Sequence, residues 1–258
     1  MLNRVYFLGA GPGDPELLTL RAARLLGECP VVYAPEPFEQ TFAAHLIGKT
    51  VLVPFNYYFN ELLELIESQL KSGSVAFLVP GDLTFYSPFQ SLVDALGPRA
   101  VVVPGVGTAN AAAARLKKTL DLPAVCNRAI LASPRTLGDS PDAPTMRDLA
   151  APGVALLIYM NNIPLAELVE QLRAGYGRSV PIAILHRLGL PGETVVQGTL
   201  DDIVAKVGDR DFFNLASPDR RPALTLVLVG ESLDAKTDGS WWDHRRDHIW
   251  KTRGAKIG

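Results

Sequence analysis

The sequence predicts an α/β protein made of two α/β domains, and three observations predict it. Short apolar, β-branched runs alternate with helix-period segments along most of the chain. Three of those runs, at residues 5–8, 75–79 and 100–103, break directly into glycine- and proline-rich turns. The alternation pauses near residues 120–124 and then restarts. The expected division is therefore residues 1–119, residues 120–235, and a tail at 236–258 rich in tryptophan and arginine.

The first run, Val5-Tyr6-Phe7-Leu8, ends in Gly9-Ala10-Gly11-Pro12-Gly13-Asp14-Pro15, and a helical pattern covers residues 16–26. Strands are expected at 31–34 and 50–54, with a short helix at 41–46 between them. Leu62, Leu65, Ile66 and Leu70 recur on one face of a helix at 60–71. The strand at 75–79 ends in Pro80-Gly81-Asp82 and precedes a helix at 89–96. The strand at 100–103 ends in Pro104-Gly105-Val106-Gly107, and Thr108 is the expected cap of an alanine-rich helix at 108–118. The second half reads as strands at 129–132, 154–160, 182–186, 194–199 and 224–229, with helices at 165–174 and 200–207. Residues 133–145, which carry Pro134, Pro141 and Pro144, read as a mobile loop. If the strands at 5–8, 75–79 and 100–103 are parallel neighbours, their three turns line one crevice at the carboxyl ends of a sheet. Asp82 is then placed to accept from a ribose hydroxyl or an amine, and Thr108 to donate, which is the pattern of a nucleoside-like ligand.

Composition narrows the function. The chain has 258 residues, 48% of them hydrophobic and 20% charged, and a formal net charge of -2. That balance provides a sizeable core and no positive field to recruit nucleic acid or an anionic membrane. No apolar run reaches the roughly 18 residues of a membrane span. The chain begins directly with a strand, so no signal peptide is expected and a cytoplasmic location is. Cys29 and Cys126 lie in apolar contexts and read as reduced, buried thiols, and no cysteine or histidine cluster suggests a metal. The first turn also excludes the commonest reading of such a loop. Its glycines are spaced G-x-G-x-G, not G-x-G-x-x-G, and Pro12 and Pro15 lack amide donors that a pyrophosphate would use. This argues against a nicotinamide-dependent oxidoreductase.

Five motifs carry a resemblance. The segment VYFLGAGPGDPELLTLRAARLL (5–26) closely resembles the opening signature of the tetrapyrrole methylase family, whose members use S-adenosylmethionine to methylate ring carbons in cobalamin and sirohaem synthesis. VPGDLTFYSPF (79–89), VVVPGVGTANAAAA (101–114), LLIYMNN (156–162) and LPGETVVQGTLDDI (190–203) resemble the motifs that follow in order. The resemblance runs from about residue 4 to 231. It implies a class III methyltransferase fold, two α/β domains with S-adenosylmethionine in the cleft between them, yielding S-adenosylhomocysteine, within a homodimer. Carrying the family's cofactor contacts onto this sequence gives Pro12, Pro80, Gly81, Asp82, Phe85, Gly107, Thr108, Met160, Leu188 and Gly189. The sequence departs from the motifs at Leu83, at Ser87-Pro88 and at Gly107.

The chemistry suits such residues. A sulfonium methyl passes in line to a carbon nucleophile, so positioning and desolvation are the main levers. Met160 offers a soft, apolar wall. Glu36, just past the second strand, is the candidate acceptor for the proton released by the attacking carbon. Arg128, Arg135, His186 and Arg187 are candidates for pairing with the carboxylates of a polycarboxylate tetrapyrrole. Residues 119–136 look most like the branch that methylates C11 of precorrin-4 or cobalt-precorrin-4. Residues 85–89 look more like the precorrin-2 C20 branch, and the opening signature fits uroporphyrinogen-III methyltransferases equally well. A non-catalytic ligand-binding relative, or one acting on protein or RNA, is the other-class alternative.

Two further clusters have ordinary readings. Trp241, Trp242 and Trp250, interleaved with His244, Arg245, Arg246 and His248, read as an amphipathic helix docked on its own domain, with a dimer strap or a lid as the functional alternative. Tyr57, Tyr58 and Phe59 read as core packing at a helix start, with stacking on a macrocycle as the alternative.

Overall fold

The computed structural model describes residues 3–138, 140, 142–218 and 223–250, and of Trp250 only the backbone. Two five-stranded sheets follow one another along the chain. The first holds β1 (Val5–Gly9), β2 (Val31–Tyr33), β3 (Thr50–Leu52), β4 (Val75–Val79) and β5 (Ala100–Val103) in the order β3-β2-β4-β1-β5. Every pair in it is parallel. Between its strands lie α1 (Leu20–Glu28), α2 (Phe38–Thr41), α3 (Ala43–Leu46), α4 (Phe59–Gln69) and α5 (Gln90–Leu96).

Parallel strands need crossover helices, and those helices cover both faces. On one face Leu8, Ala76 and Leu78 pack under Leu25 and Leu26 of α1 and against Phe38 and Phe42. On the other, Phe7, Tyr33 and Phe77 lie under Leu62 and Ile66 of α4 and Leu92 and Leu96 of α5. The Tyr33 and Phe77 rings stack at 4.4 Å, and Phe7 follows at 5.0 Å from Phe77. Burial pushes the Tyr33 phenol up to about 12 despite its bond to Gln69. The central β4 therefore reads Val-Ala-Phe-Leu-Val, apolar without alternation, and all of it is buried.

The second part begins with α6 (Thr108–Leu116) and continues through β6 (Arg128–Ala132), α7 (Met146–Leu149), β7 (Val154–Tyr159), α8 (Leu165–Tyr176), β8 (Pro181–His186), β9 (Thr194–Thr199), α9 (Ile203–Val207), β10 (Thr225–Val229) and α10 (Gly239–Arg245). Its sheet order is β6-β7-β10-β8-β9, parallel between β6 and β7 and antiparallel elsewhere. One face packs under α7, α8 and α9. The other face, with Leu157, Ala183, Leu185, Leu226 and Leu228, is covered by the alanine face of α6 around Ala112. Thus α6 leaves the first sheet and docks on the second. Its small residues let it sit close, and this crossing brings the turn after β5 to the ends of β7 and β8.

Several elements differ from expectation. The helix expected at 16–26 is two pieces: Asp14 accepts from the Glu16 amide and starts a short 3-10 turn at Pro15–Leu17, the chain re-extends at Leu18, and Thr19 caps α1 through the Ala22 amide. Thr108 is the first helical residue of α6, not its cap; Gly107 holds that position. The helix expected at 200–207 starts at Ile203, because Asp202 is engaged by the Thr199 amide. Within 133–145 the chain forms a 3-10 turn at Pro134–Thr136, and Thr145 with Asp148 then starts α7, which the sequence pattern did not show; Pro141 lies outside the described residues. The tail does form a helix, α10, but none of its residues is buried, so it is not docked as expected. Arg245 lies 4.3 Å over the Trp241 ring instead, Trp242 is 71% exposed, and the Trp250 side chain lies outside the described residues. Of the aromatic run, Tyr57 packs on the core whereas Tyr58 and Phe59 are exposed. Both cysteines are buried and free, and burial lifts the Cys29 thiol to about 11. Among the described residues no helix is long and apolar enough to cross a membrane, and no cluster of His, Cys, Asp or Glu has the makings of a metal site.

Candidate active site

The strands β4, β1 and β5 are neighbours in the sheet, so the three glycine-proline turns emerge side by side at its carboxyl edge. They are fastened to one another through backbone. The Gly11 amide donates to the Gly81 carbonyl at 3.0 Å, and the Gly81 amide returns a bond to Gly11 at 2.7 Å. Both glycines are left-handed, with φ +72° and +66°, a conformation that side chains disfavour. Gly9 faces Gly105 so closely that a Cβ on Gly9 would stand 2.4 Å from the Gly105 nitrogen. The alternate glycines of the first turn therefore serve close backbone approach and turn geometry.

Asp82 ties the second turn to the third. One oxygen accepts from the amide and hydroxyl of Thr84, and the other from the Gly105 amide at 3.0 Å. Burial alone would raise this carboxyl, but the bonds from Thr84 and Gly105 outweigh it and hold the pKa below the ordinary aspartate value. The Thr108 hydroxyl sits over this turn, 3.2 Å from where a Gly81 Cβ would be, and has no hydrogen-bond partner among the described residues.

The second sheet closes the space. Its contributions come from the end of β7 (Tyr159, Met160), the turn after β8 (Leu188, Leu190) and the start of β10. Between them lies a cavity of about 180 Å³ lined by Pro12, Pro80, Gly81, Asp82, Phe85, Gly107, Thr108, Met160 and Leu188, all residues expected from the sequence. Gly189 stands just behind, where a Cβ would meet the Asp14 nitrogen at 3.0 Å and the Pro12 ring at 3.4 Å. Phe38, Tyr86, Tyr159, Leu185, Leu190 and Ala223–Leu226 also line the cavity and were not expected. The Tyr86 and Tyr159 rings lie 5.2 Å apart, and burial raises both phenols, Tyr159 to about 12. Tyr86 and Tyr159 lie inside the second and fourth motifs, but a motif marks the segment and not which ring faces the cavity.

Tyr86, Met160 and Arg187 have φ of +56°, +48° and +54°, uncommon for residues with side chains. Arg135 donates from Nε to the Met160 carbonyl at 3.1 Å. The Arg187 amide bonds Leu224 and its Nε bonds the Pro191 carbonyl, which ties that guanidinium to its own turn. Glu193 ties α6 to the turn after β8: its oxygens accept from the Gly189 amide at 2.9 Å and from Arg115 of α6 at 2.7 Å.

The remaining sequence candidates fall differently. His186 does not line the cavity but bonds Thr225, a cavity residue, at 2.7 Å. The single Thr225 hydroxyl proton goes to the Phe212 carbonyl, so Thr225 must accept from His186 Nδ1. Burial and then Arg187 lower the His186 pKa, so His186 is neutral near pH 7 with Nε2 as an acceptor, not the expected cation. Glu36 is exposed in the loop after β2, on the same sheet edge and two residues from Phe38. Arg128 does not join the site: it begins β6, opposite Val154, at the far end of the second sheet, and bonds the Pro152 carbonyl. The motif departures have structural reasons. Leu83 fills the core beneath the second turn, Ser87 accepts from the Phe89 amide, and Gly107 supplies the helix start.

Comparison with known proteins adds to this geometry. The family of Tetrapyrrole (Corrin/Porphyrin) Methylases matches residues 4–204. A precorrin-4 C(11)-methyltransferase of Pseudomonas aeruginosa is 34% identical over 255 residues, covering 96% of this chain and 98% of its own. The crystal structure of a cobalt precorrin-4 methyltransferase superposes with a TM-score of 0.75 at 22% identity, covering 90% of this chain and 96% of its own, a likeness of fold. A Thermus thermophilus uroporphyrin-III C-methyltransferase in complex with S-adenosylhomocysteine gives a TM-score of 0.63 at 26% identity, covering 91% of this chain and 96% of that one.

Proposed function

The chain belongs to the tetrapyrrole (corrin/porphyrin) methylase family, and from that premise we propose that it transfers the methyl group of S-adenosylmethionine to C11 of precorrin-4 or its cobalt form in cobalamin biosynthesis. One observation carries the reading: the positions implied by the family motifs, drawn from five separate segments, converge on one cavity where the two sheets meet. The match over nearly the full length of a precorrin-4 C(11)-methyltransferase selects this branch over the C20 and uroporphyrinogen alternatives.

The cavity fits the cofactor. Apolar walls from Met160, Leu188, Leu190 and Leu226 suit an adenine and a thioether chain, and the unpartnered Thr108 hydroxyl and the backbone of the second turn suit its polar groups. S-adenosylmethionine, when bound, supplies an electrophilic methyl on a cationic sulfonium. The chain's own residues position and desolvate. Asp82 fixes the second and third turns relative to each other, and Tyr159 and Met160 keep water from the inner end. Glu36, on the open side of the same edge, is the group proposed to take the proton released when the ring carbon attacks. The substrate is a polycarboxylate tetrapyrrole, and we place the enzyme in the cytoplasm as a homodimer.

Incubation with S-adenosylmethionine and precorrin-4 tests the reading. A mass gain of one methylene on the tetrapyrrole, placed at C11 by carbon-13 labelling, is expected. A methyl at another carbon would move the chain to a different branch, and no transfer with S-adenosylhomocysteine bound would make it a non-catalytic relative.

A further inference from the structure

Beside the cofactor cavity, on the far side of Met160, lies a second cavity of about 300 Å³ lined by Arg135, Asn162, Pro164, Asn214 and Leu215. Arg135 is partly buried and makes no ion pair among the described residues. Its Nε is used on the Met160 carbonyl, which leaves the two terminal nitrogens of the guanidinium for the cavity. The Asn162 carboxamide has no partner among the described residues, whereas Asn161 beside it is closed on Ile163.

The opposite wall is held in shape. Asp211 accepts from the amides of Phe213, Leu215 and Ala216, and this loop keeps Asn214 at φ +56°. Burial raises the Asp211 carboxyl, but those amides outweigh it, so its charge is answered by the loop. The nearby acid on α8, Glu167, is bonded to Gln171. An unpaired guanidinium beside a free carboxamide in a concave site is a receptor for a carboxylate.

We propose that this cavity is a carboxylate subsite for one acidic side arm of the tetrapyrrole, with Arg135 and Asn162 as its donors. The inference rests on the proposed function and deepens it. Because Arg135 holds both the subsite and the Met160 carbonyl, the same guanidinium sets the distance between the anchored macrocycle and the cofactor wall.

The test is methyl transfer measured against tetrapyrrole concentration, with S-adenosylhomocysteine affinity measured alongside. Arg135→Gln is expected to raise KM about tenfold or more. Asn162→Leu, which leaves the Met160 contact intact, is expected to raise KM roughly threefold to tenfold with unchanged S-adenosylhomocysteine affinity. Wild-type KM in both variants overturns the subsite. So does weaker cofactor binding in Arg135→Gln with wild-type KM in Asn162→Leu, because Arg135 would then act only through Met160. If the wild-type protein transfers no methyl, the proposed function fails, and the subsite is decided separately by binding of uroporphyrin III, an octacarboxylate, followed by fluorescence quenching. Weaker binding by both variants supports it; equal binding overturns it.

Discussion

The two edges of the first sheet make an instructive contrast. The amino edge carries the larger hollow, an open groove of about 820 Å³ that includes Arg4, Glu28, Lys49 and Ser74. Yet its cations already have partners in the fold: Lys49 donates to the carbonyls of Gly27 and Cys29 at the end of α1, and Arg4 donates to Pro98. The carboxyl edge has the smaller cavity, but its turns are cross-bonded and its wall includes left-handed Tyr86 and Met160. Volume alone does not mark a site. Polar groups held in place with capacity left over do.

Glycine substitutions break the contrast most sharply. At the carboxyl edge, Gly9→Ala drives a Cβ into the Gly105 backbone, which cannot swing aside. It is expected to cost about 3 kcal/mol or more and to abolish S-adenosylhomocysteine binding. At the amino edge, Gly27 is an exposed helical residue with nothing within 4 Å of a new Cβ. Gly27→Ala should stabilise by about 0.5–1 kcal/mol and leave binding alone. Chemical denaturation and calorimetry read both, and equal effects at the two edges would remove the distinction.

Losing the free hydroxyl has a smaller effect. Thr108→Val keeps the shape of the cavity wall and is expected to weaken S-adenosylhomocysteine binding by about tenfold, near the worth of one hydrogen bond. Unchanged affinity would place the ligand's polar groups elsewhere in the cavity.

The smallest effect is set by pH. Burial raises the Glu193 carboxyl, but the Gly189 amide and Arg115 outweigh it, so its folded pKa lies below the ordinary glutamate value. The stabilisation it gives is therefore complete above the ordinary carboxylate range and is lost as pH falls through the lowered folded value. Glu193→Gln should cost about 1 kcal/mol at pH 7, and the two proteins should converge in stability well below about pH 4. A constant difference across that window would show that the charge of the bridge is irrelevant.

What the sequence disclosed follows the same division. The three turns were legible because each is local: an apolar run stopped by glycine and proline within a few residues, as at Gly81-Asp82. Their adjacency was legible as a consequence of parallel order, and the structure has it. The docking of α6 on the second sheet was not legible, because an alanine-rich face fits either sheet equally well. Nor was the Arg115–Glu193 bridge, or Tyr86 meeting Tyr159, since those pairs join residues 78 and 73 positions apart. His186 reads as a cation from the sequence, whereas burial, which only tertiary packing sets, and then Arg187 lower its pKa. Arg128 was misplaced by one strand length, which a composition argument does not resolve.

The most direct measurement is a calorimetric titration of S-adenosylhomocysteine into the wild-type protein, Asp82→Ala and Lys49→Ala. The account predicts micromolar binding to the wild type, loss of it when the Asp82 clamp between the second and third turns is removed, and wild-type affinity in Lys49→Ala at the opposite edge. No binding to the wild type, or binding that survives in Asp82→Ala and fails in Lys49→Ala, would contradict the assignment of the cofactor to the carboxyl edge.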